Sequence, residues 1–559
     1  MNAFYPSDQQ HLFTNRVKEL AELEHYLEKL SSAPAEHLAL FGLRRIGKTL
    51  LLKEFLHRVL MSRSDVIPVY MDFSALCSSP ENFASGFVGS LCYWLVEKGD
   101  REAEPYLNAI SLPFAMAQAG AADLLDAVQP ILHELERAKP DRQALLRQAF
   151  HFPSQAATIR KCRFLLIFDE FQEIRTLQNF PNAHNVLALF RAEMQTQSGI
   201  LYILAGSAVS VLSNMLSNPD TPLFAQFTRL PVGSFARPDT RILVDKILSV
   251  PLEEDMYPLI HSLSGGHPFY ITAISRRLST LVEAVKRPAS ADTIKQAFLF
   301  ETLSPSGRIY DFCRYVYDLS LQKASGYGSL KAVLQLLAAE EGQTASQVAR
   351  RLKVSSASAS DYLRWLLAVD LLVEKERLYY FQDPVLRFWV AAVIQGVEVS
   401  LSASPLDLQR LISRLDTQFQ RLSEELGSAQ ESAVRELLRA FNGQTLEGGW
   451  FGLPGGGLQL PVLVEVQPQR SPNGQTELDA VARSAAGETW IVEVKWRSKR
   501  AGQKEVQQLH HRALALNAQA WLVSRAGFTS DAAHYAAANH LFISDENDLQ
   551  RIRACLKTN

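Results

Sequence analysis

The sequence has few cysteines, no apolar run of membrane-spanning length and almost no net charge. An odd number of scattered cysteines without metal-ligand spacing argues against a disulfide framework and a cysteine-based metal site, and it favours reduced thiols in a cytoplasm. Without a long apolar run, a membrane protein is not expected. The N-terminal residues also lack the charged start and apolar segment of a signal peptide. The cysteines are Cys77, Cys92, Cys162, Cys313 and Cys555.

The formal net charge of −2 excludes a polycation that binds nucleic acid through its overall charge, so any such contact must come from local patches. We find no internal repeat and, apart from the Ser/Ala-rich stretch 355–360, no extended low-complexity segment. The length of 559 residues predicts about three or four domains, and the 47% of hydrophobic residues suffices for several cores.

Residues 42–49 (GLRRIGKT) match the phosphate-loop pattern G-x-x-x-x-G-K-[ST] at every specified position. An apolar run precedes the loop and a helical pattern follows it, as a phosphate loop requires. Gly42 and Gly47 allow the backbone to wrap a phosphate group. Lys48 is predicted to reach the β- and γ-phosphates of ATP, and Thr49 to contact Mg²⁺. The alternative is a strand–helix turn that binds nothing.

An acidic pair follows the apolar run 164–168. A strand there delivers Asp169 beside the phosphate loop, where its carboxylate is predicted to hold Mg²⁺ and its water shell. Glu170 is predicted to polarise the water that attacks the γ-phosphate. Such a pair alone is common, but together with the phosphate loop it predicts ATP hydrolysis.

Further apolar runs at 66–73 and 200–205, with helical patterns between them, predict an α/β core whose parallel sheet is covered by helices on both faces. Helical spacing without strands then predicts an all-α lid. Three helices and a two-strand wing at 371–381 predict a winged helix-turn-helix. The predicted boundaries are 1–235 for the nucleotide core, 236–320 for the lid, 321–395 for the winged helix, 396–430 for a helical connector and 431–559 for a second α/β unit.

These features resemble the archaeal-type ATPases, P-loop proteins related to the AAA+ and STAND ATPases, over roughly residues 10–395. The resemblance implies that Arg16 lies near the nucleotide base and that Ser207 is a polar sensor at the end of a core strand. It also implies that the lid motif Gly266–Pro268 transmits the nucleotide state to the helical region, although His267 alone is also explained as a structural residue at a helix start. The motifs that carry the resemblance are the phosphate loop, Asp169–Glu170, Leu12–Leu20, Ala205–Ser207 and Gly265–Pro268.

Many relatives carry a charge-stabilising arginine after a Pro-Leu-aromatic triplet, and this chain has Gln226 at that position, at the end of Pro222–Gln226. Arg229 either substitutes for it or is an ordinary surface arginine. Because such an arginine finger contributes about 10³–10⁵ to the rate of hydrolysis, we expect slow or partner-dependent turnover. Slow turnover suits a switch better than a motor.

Within the winged helix, residues 355–367 are the predicted recognition helix. Few of its exposed residues carry positive charge, but basic residues before it can contact a phosphate backbone. DNA binding and a protein-interaction or inter-domain role therefore both remain open. The residues concerned are Ser356, Ser358, Ser360 and Arg364 in the helix, and Arg350, Arg351 and Lys353 before it.

A second set of charged residues lies in the last part of the chain. Glu493 and Lys495 are two positions apart in an apolar strand pattern, so their side chains share a face, and Asp479 precedes them at a distance that suits a hairpin. Two converging carboxylates favour a Mg²⁺ site, and a lysine beside them can orient water or stabilise charge on a phosphoryl oxygen. The alternative is a solvated strand face.

This arrangement resembles the PD-(D/E)XK nuclease superfamily, whose domains also occur at the C-terminus of many archaeal-type ATPases. Leu478 stands where the superfamily name has a proline, a variable position. The resemblance implies the metal ligands Asp479 and Glu493, the catalytic lysine Lys495, the accessory acid Glu431, and Gln507 or Gln508 as the glutamine of the following helix. A basic run beside the site can neutralise backbone phosphates or is itself a solvated face. The run comprises Lys495, Arg497, Lys499, Arg500, Lys504, His510 and His511.

Together these patterns predict a cytoplasmic, ATP-regulated nuclease that cleaves DNA with Mg²⁺, in prokaryotic defence or DNA processing. The expected partners are DNA, a second copy of the chain and a protein trigger. One alternative is a signalling ATPase that binds DNA or a protein and whose nuclease-like domain is non-catalytic. Another is a nucleotide-dependent regulator whose winged helix contacts a partner protein.

Overall fold

The computed structural model divides the chain into two compact units, Met1–Ala403 and Ser404–Asn559. Each unit has its own apolar core residues. None of the helices in the described part of the chain is both long and apolar enough to cross a membrane. The described residues are 4–30, 35–99, 102–322, 327–375, 377–394, 412–413, 434–470, 477–484, 486–497 and 500–557.

A five-stranded parallel sheet forms the centre of the first unit. Its strands are β1 (His37–Phe41), β2 (Val66–Asp72), β3 (Arg163–Asp169), β4 (Ile200–Gly206) and β5 (Phe227–Pro231). They lie in the order β2-β3-β4-β1-β5. β3 and β4 are buried along almost their whole length, as expected for central parallel strands with both faces covered. The carboxyl ends of β3, β4 and β1 are adjacent, so the segments that follow them meet at one edge of the sheet.

The strand β5 is absent from the predicted set. Its sequence, FTRLP, has buried apolar residues only at Phe227 and Leu230, with exposed polar residues between them. A run this short and interrupted cannot be distinguished from a loop by periodicity. The strand forms through tertiary pairing, with Arg229 opposite Ala39 of β1. The other four strands agree with the predicted apolar runs.

Helices surround this sheet, and an all-helical insertion separates β2 from β3. The helices are α1 (Ser7–Leu12), α2 (Val17–Lys29), α3 (Lys48–Ser62), α4 (Phe73–Leu76), α5 (Pro80–Val96), α6 (Glu104–Leu107), α7 (Leu112–Gln118), α8 (Leu125–Leu135), α9 (Arg142–Arg160), α10 (Val186–Thr196) and α11 (Val209–Ser217), with 3₁₀ segments at Ala122–Leu124 and Phe171–Asn179. α3 begins within the phosphate loop and α11 begins just after β4. Both helix N-termini therefore lie at the sheet edge where the strands end.

The segment after β5 is helical, as predicted for the lid. Its helices are α12 (Arg237–Ile247), α13 (Met256–Ser264), α14 (Pro268–Ser279), α15 (Ala291–Leu303) and α16 (Arg308–Gln322), with a π segment at Thr280–Ala284. The next elements are α17 (Tyr327–Ala339), α18 (Ala345–Leu352), α19 (Ser356–Ala368), the hairpin β6 (Leu372–Lys375) and β7 (Leu378–Phe381), and α20 (Pro384–Ile394). They occur in the order of the predicted winged helix, and Thr344 and Ser355 cap α18 and α19. The predicted connector at 396–430 lies outside the described residues except for 412–413.

A five-stranded mixed sheet forms the centre of the second unit. A short hairpin, β8 (Thr445–Glu447) and β9 (Gly457–Gln459), precedes the sheet strands β10 (Leu463–Arg470), β11 (Glu477–Ser484), β12 (Thr489–Lys495), β13 (Gln519–Ser524) and β14 (Phe542–Ser544). In the sheet order β10 to β14, the first three strands are antiparallel and the last three are parallel. The helices are α21 (Gln503–Leu516), α22 (Ser530–Ala538) and α23 (Glu546–Lys557), with helical turns at 434–439 and Gly448–Phe451.

Alternate residues of β12 face two different apolar cores. Val492 belongs to one core, whereas Ile491 belongs to the other, which includes Leu509 of α21. Because side chains alternate along a strand, Glu493 and Lys495 lie on the same face as Ile491. Helix α21, which connects β12 to β13, covers the face that carries these two predicted catalytic residues.

Candidate functional site

The phosphate loop joins β1 to α3, which begins at Lys48. Gly47 has a φ of 100°, a value that favours glycine, and a Cβ at Gly42 would clash with the carbonyl oxygen of Val232. Lys48 Nζ donates to the carbonyl oxygens of Gly42 (2.7 Å) and Leu43 (2.9 Å). The lysine therefore lies inside its own loop, where a polyphosphate is predicted to bind.

The ammonium group of Lys48 is buried, with 5% of the residue exposed. Burial lowers the pKa of Lys48 to about 8, although the carboxylates of Glu170 and Asp169 act in the opposite direction. A buried cation is stabilised by an anion at hydrogen-bond distance, and a phosphate group supplies one. The charge and the shape of the loop thus fit a nucleotide polyphosphate.

We expect the affinity for ATP to fall as the pH rises through the pKa of Lys48. Below that pKa of about 8 the lysine is already charged, whereas above it a proton must be taken up when the anion binds. The expected loss is about tenfold between pH 7.5 and pH 9, measured by titration with a fluorescent ATP analogue. Lys48→Arg keeps its charge over this range and should show a flat profile. A tenfold loss in that variant too would contradict the assignment to Lys48.

Thr49 and Asp169 meet beside the loop. Thr49 Oγ1 donates to Asp169 Oδ2 (2.6 Å), and the Tyr70 hydroxyl donates to the same oxygen (2.8 Å). Burial raises the pKa of Asp169, and the two hydrogen bonds oppose that rise because they favour the carboxylate. Hydroxyl and carboxylate oxygens are suitable Mg²⁺ ligands. The pair of Thr49 and Asp169 therefore fits the metal that accompanies a bound nucleotide.

Glu170 is held by Ser207 and Gln172. Its Oε2 accepts from the hydroxyl (2.8 Å) and the backbone N–H (3.2 Å) of Ser207, just after β4, and from the side-chain amide of Gln172. Glu170 has a φ of 50°, in the left-handed region, at the point where the chain leaves β3. The carboxylate predicted to polarise water is thus positioned by the residue predicted to act as a sensor.

A cavity of about 390 Å³ lies at the phosphate loop, and its lining includes Lys48 and Glu170. Phe312 of the lid helix α16 lines the same cavity. The Arg45 guanidinium lies 4.4 Å from the ring centroid of Phe269 and 4.7 Å from that of Phe312, which are cation–π distances. The lid therefore packs directly on the phosphate loop.

Arg16 and His267 also contact the phosphate loop. Arg16 Nη2 donates to the carbonyl oxygen of Ile46 (3.0 Å), and its guanidinium lies 4.6 Å from the ring centroid of Phe235. His267 directly precedes α14, and its Nε2 lies 3.1 Å from the carbonyl oxygen of Arg44. Burial lowers the pKa of His267 to about 4, so the ring is neutral near pH 7 and Nε2 donates to that carbonyl. His267 thus stands at a helix start and links the lid to the loop.

Gln226 and Arg229 make contacts outside the cavity at the phosphate loop. Gln226 Oε1 accepts from the side-chain amide of Gln195 (3.0 Å). Arg229, on β5, donates to the Ser213 hydroxyl (3.2 Å) and lies 5.2 Å from the ring centroid of Phe41. Neither belongs to the described residues that line the cavity. Neither therefore contributes to the cavity within a single chain.

The turn after α19 connects the predicted winged helix to the nucleotide core. Asp370 accepts hydrogen bonds from the backbone N–H (3.0 Å) and the hydroxyl (2.6 Å) of Ser210, in the first turn of α11. Ser207, which holds Glu170, lies just before that helix. A cavity of about 240 Å³ at this contact is lined by residues of the core, the lid and the winged helix. The winged helix is thus linked to the segment that positions Glu170.

Two basic residues of the predicted DNA-contacting face are paired with acids. Arg364 lies 3.0 Å from Asp361, and Arg351 lies 2.7 Å from Glu340. These ion pairs reduce the positive charge that the face offers to a phosphate backbone.

The second candidate site lies on β11 and β12. The antiparallel register of these strands ends with Ala480 opposite Val492, so Asp479 lies beside the part of β12 that carries Glu493. Asp479 Oδ2 accepts from the backbone N–H of Val494 (2.6 Å), and Lys495 Nζ lies 2.6 Å from Glu493 Oε1. The structure thus brings together the three residues that were predicted from spacing alone.

Helix α21 adds a residue that was not predicted. Arg512 Nη1 lies 3.0 Å from Glu493 Oε2, so the two oxygens of Glu493 face two different cations. Gln507 and Gln508 lie earlier on the same helix. Of the residues on α21, Arg512 makes the described contact with Glu493. The predicted accessory acid Glu431 lies outside the described residues.

Asp479 and Glu493 offer two carboxylates to a metal ion, which is fewer than a complete coordination shell. Among the described residues, no group of three or more His, Cys, Asp or Glu side chains is placed to hold a metal ion. Mg²⁺ commonly takes one or two carboxylates and completes its shell with water and substrate phosphates. The two carboxylates therefore fit a Mg²⁺ ion that is bound together with a phosphate substrate.

The basic run after β12 is partly neutralised. Arg497 pairs with Glu505 at the start of α21, whereas Arg500 and Lys504 are exposed. Lys499 lies outside the described residues. Exposed cations beside the site can contact a phosphate backbone.

Four residues that complete the two sites were not predicted from the sequence. Two of them have a local signal in the sequence. Gln172 closely follows the acidic pair, and Tyr70 is a polar residue within the apolar strand β2, which pairs with β3. Asp370 and Arg512 have no such signal. Their contacts depend on how distant segments pack, which spacing along the chain does not encode.

One family model and several solved structures are similar to parts of this chain. The restriction endonuclease family model Mrr_cat matches residues 464–552, from β10 into α23. A comparison with curated proteins gives no match. A Walker-type ATPase of Pyrococcus abyssi is 18% identical with a TM-score of 0.47, over 68% of this chain and 96% of that one. The ORC2 protein of Aeropyrum pernix, in ADPNP–ADP complexes, is 17% identical with a TM-score of 0.42, over 68% and 95%.

The RuvB Holliday junction branch migration motor of Thermotoga maritima is 15% identical with a TM-score of 0.35, over 69% of this chain and 97% of its own. The fold of the first unit is assigned from its own features: the parallel sheet, the phosphate loop after β1 and the acidic pair after β3. In the second unit, an antiparallel meander, a crossover helix and parallel strands lie in the region of the family match. The predicted fold class is confirmed for the P-loop core and for the restriction-endonuclease-like domain, and the winged helix stays a prediction. The chain therefore combines a P-loop ATPase fold with a restriction-endonuclease-like domain.

Proposed function

We propose that the chain is a nuclease that cleaves DNA with Mg²⁺ under the control of ATP. The observation that carries the proposal is the meeting of Asp479, Glu493 and Lys495 at the end of β12, inside the region that matches a restriction endonuclease model. The phosphate loop and the acidic pair Asp169–Glu170 supply the nucleotide-dependent part. The proposed setting is prokaryotic defence or DNA processing in the cytoplasm.

In the proposed cleavage reaction, Asp479 and Glu493 hold the divalent cation. When bound, the cation supplies an activated water and stabilises negative charge on the phosphate. Lys495, on the same face, orients the attacking water and donates to the phosphate oxygen on which charge develops. Water attacks the phosphorus and loses a proton to the solvent, the P–O bond to the leaving strand breaks, and the leaving oxygen takes up a proton from the solvent.

In the proposed ATP hydrolysis, Lys48 binds the β- and γ-phosphates, while Thr49 and Asp169 hold the accompanying metal. Glu170 accepts a proton from the attacking water, and its hydrogen bonds with the core hold it in position. Gln226 stands where relatives carry an arginine finger, so turnover is slow unless a partner or a second copy supplies a cation.

Control of the nuclease by ATP is supported by two features. Both domains belong to one chain, and Glu170 is connected to the winged helix through Ser207, Ser210 and Asp370. A bound nucleotide changes the charges around Glu170, and a local charge change of this kind can shift a two-state contact. Slow hydrolysis then sets the lifetime of the ATP-bound state, and a protein trigger would act on the same equilibrium.

Incubation of supercoiled plasmid with the purified full chain and Mg²⁺, with and without ATP, tests both parts of the proposal. We expect Mg²⁺-dependent cleavage whose rate changes at least about fivefold with ATP. Lys48→Ala should weaken ATP binding and remove the ATP effect, because the phosphates lose their main cation. The absence of cleavage under every nucleotide condition would reject the nuclease. Cleavage that is the same with and without ATP would reject its control by ATP.

A signalling ATPase with a non-catalytic nuclease-like domain is the second candidate. Glu493 is paired with both Lys495 and Arg512, a pattern that a structural ion cluster also shows. The winged helix would then bind DNA or a protein as the output of the nucleotide state. Nucleotide-dependent binding of either partner, with no cleavage at any Mg²⁺ concentration, is the result that favours this candidate.

A further inference from the structure

Arg512 lies beside the candidate nuclease site, and the proposed reaction assigns it no task. Its Nη1 is 3.0 Å from Glu493 Oε2, while Lys495 Nζ is 2.6 Å from Glu493 Oε1. The Glu493 side chain is 14% exposed, so both pairs lie in a partly dehydrated place where charges interact more strongly than in bulk water. One carboxylate therefore faces two cations.

The charges of the four side chains balance before a divalent cation binds. Asp479 and Glu493 carry two negative charges, and Lys495 and Arg512 carry two positive charges. A divalent cation at the carboxylates leaves this cluster with an excess of positive charge, which nucleic-acid phosphates can compensate. Without Arg512 the cluster has one more net negative charge and attracts the cation more strongly.

Arg512 differs from an arginine that is paired within the apolar interior. Arg387 of the first unit pairs with Glu341, and only 8% of its side chain is exposed. Arg512 keeps 32% of its side chain exposed, so a ligand can reach its guanidinium. A guanidinium binds a phosphate as well as it binds a carboxylate, and with the same planar geometry. The exposure of Arg512 therefore suits a group that exchanges one anion for another.

We propose that Arg512 is a second cationic residue of the nuclease site, with two alternative partners. Without substrate it occupies Glu493 Oε2 and competes there with a divalent cation. When DNA and the cation bind together, Arg512 leaves that oxygen and donates to a phosphate oxygen of the bound strand. This inference rests on the proposed nuclease function, and its consequence is that metal binding is weak until DNA is present.

The first test measures metal binding by the full-length, nucleotide-free protein, with Mn²⁺ as the probe and electron paramagnetic resonance as the readout. Arg512→Gln should bind Mn²⁺ about tenfold more tightly than the unmodified protein, because one positive charge leaves the carboxylate cluster. Glu493→Gln should lose Mn²⁺ binding, which identifies the site. Arg500 is an exposed arginine of the basic run after β12, and Arg500→Gln should leave the Mn²⁺ affinity unchanged.

The second test measures DNA cleavage and Mn²⁺-dependent DNA binding in the same variants. Arg512→Gln should cleave about a hundredfold more slowly even at saturating Mn²⁺ and bind DNA about tenfold more weakly. Arg512→Lys should recover part of both, since it keeps the charge without the planar fork. Tighter metal binding together with slower cleavage is the specific signature, because a residue that only held Glu493 in place would weaken both.

Unchanged or weaker Mn²⁺ binding in Arg512→Gln would overturn the competition with the cation. Cleavage by Arg512→Gln at the full rate would overturn the phosphate contact. If the unmodified protein cleaves no DNA, the nuclease function is rejected instead. The Mn²⁺ affinity and the Mn²⁺-dependent DNA binding of Arg512→Gln then still decide the inference about Arg512.

Discussion

Replacement of Glu170 by glutamine should reduce ATP hydrolysis about 10³-fold while ATP still binds. The carboxylate is proposed to take the proton of the attacking water, and an amide of the same size cannot accept it. The residues proposed to bind the phosphates, Lys48 and Thr49, are untouched by the substitution. Phosphate release measures hydrolysis, and titration with a fluorescent ATP analogue measures binding.

The hydrogen bonds of Glu170 allow this test to distinguish a loss of catalysis from a loss of local structure. A glutamine oxygen at position 170 can still accept from the Ser207 hydroxyl, so the local structure is expected to persist. Glu173 lies in the 3₁₀ segment that directly follows Glu170, and Glu173→Gln is the matched control, with no expected change in hydrolysis. Full hydrolysis by Glu170→Gln would show that another group accepts the proton.

Lys495→Ala should reduce DNA cleavage about 10²–10³-fold, and Asp479→Asn should have an effect of similar size. The first removes the cation that is proposed to stabilise the phosphate, and the second removes one of the two charges that hold Mg²⁺. An asparagine oxygen at position 479 can still accept from the Val494 N–H, so this substitution removes charge rather than the hydrogen bond. Nicking and linearisation of a supercoiled plasmid measure the rate.

Lys504→Ala is the matched control for Lys495→Ala, because Lys504 is an exposed lysine in the first turn of α21. We expect this substitution to change the cleavage rate by about twofold at most, because it removes a single phosphate contact outside the reacting centre. Thermal unfolding of each variant distinguishes lost chemistry from lost folding. Cleavage at the full rate in both Lys495→Ala and Asp479→Asn would show that the nuclease activity of the sample does not arise at this site.

The parts of both sites that could be predicted from the sequence are those whose chemistry requires a fixed spacing. The phosphate loop is continuous along the chain, and Glu493 and Lys495 share a strand face because side chains alternate with a period of two. The apolar runs of β3 and β4 are long and unbroken, so their strand character is also local.

The rest depends on tertiary packing. β5 becomes a strand because β1 offers it a partner, and Arg512 meets Glu493 because α21 crosses the sheet at one particular position. Asp370 and Ser210 are 160 positions apart and meet only through the packing of the winged helix on the core. No local pattern encodes such a contact, because local propensity says nothing about which distant surface an element will meet.

The hydrogen bonds between Ser210 and Asp370 have a thermodynamic consequence. The short segment from Ser207 to Ser210 touches Glu170 at one end and the winged helix at the other. If ATP alters the affinity of the winged helix for a ligand, that ligand must alter the affinity for ATP by the same factor, because coupling free energies are reciprocal. A DNA or protein partner bound to the winged helix would then act, in energetic terms, as a co-ligand of the nucleotide.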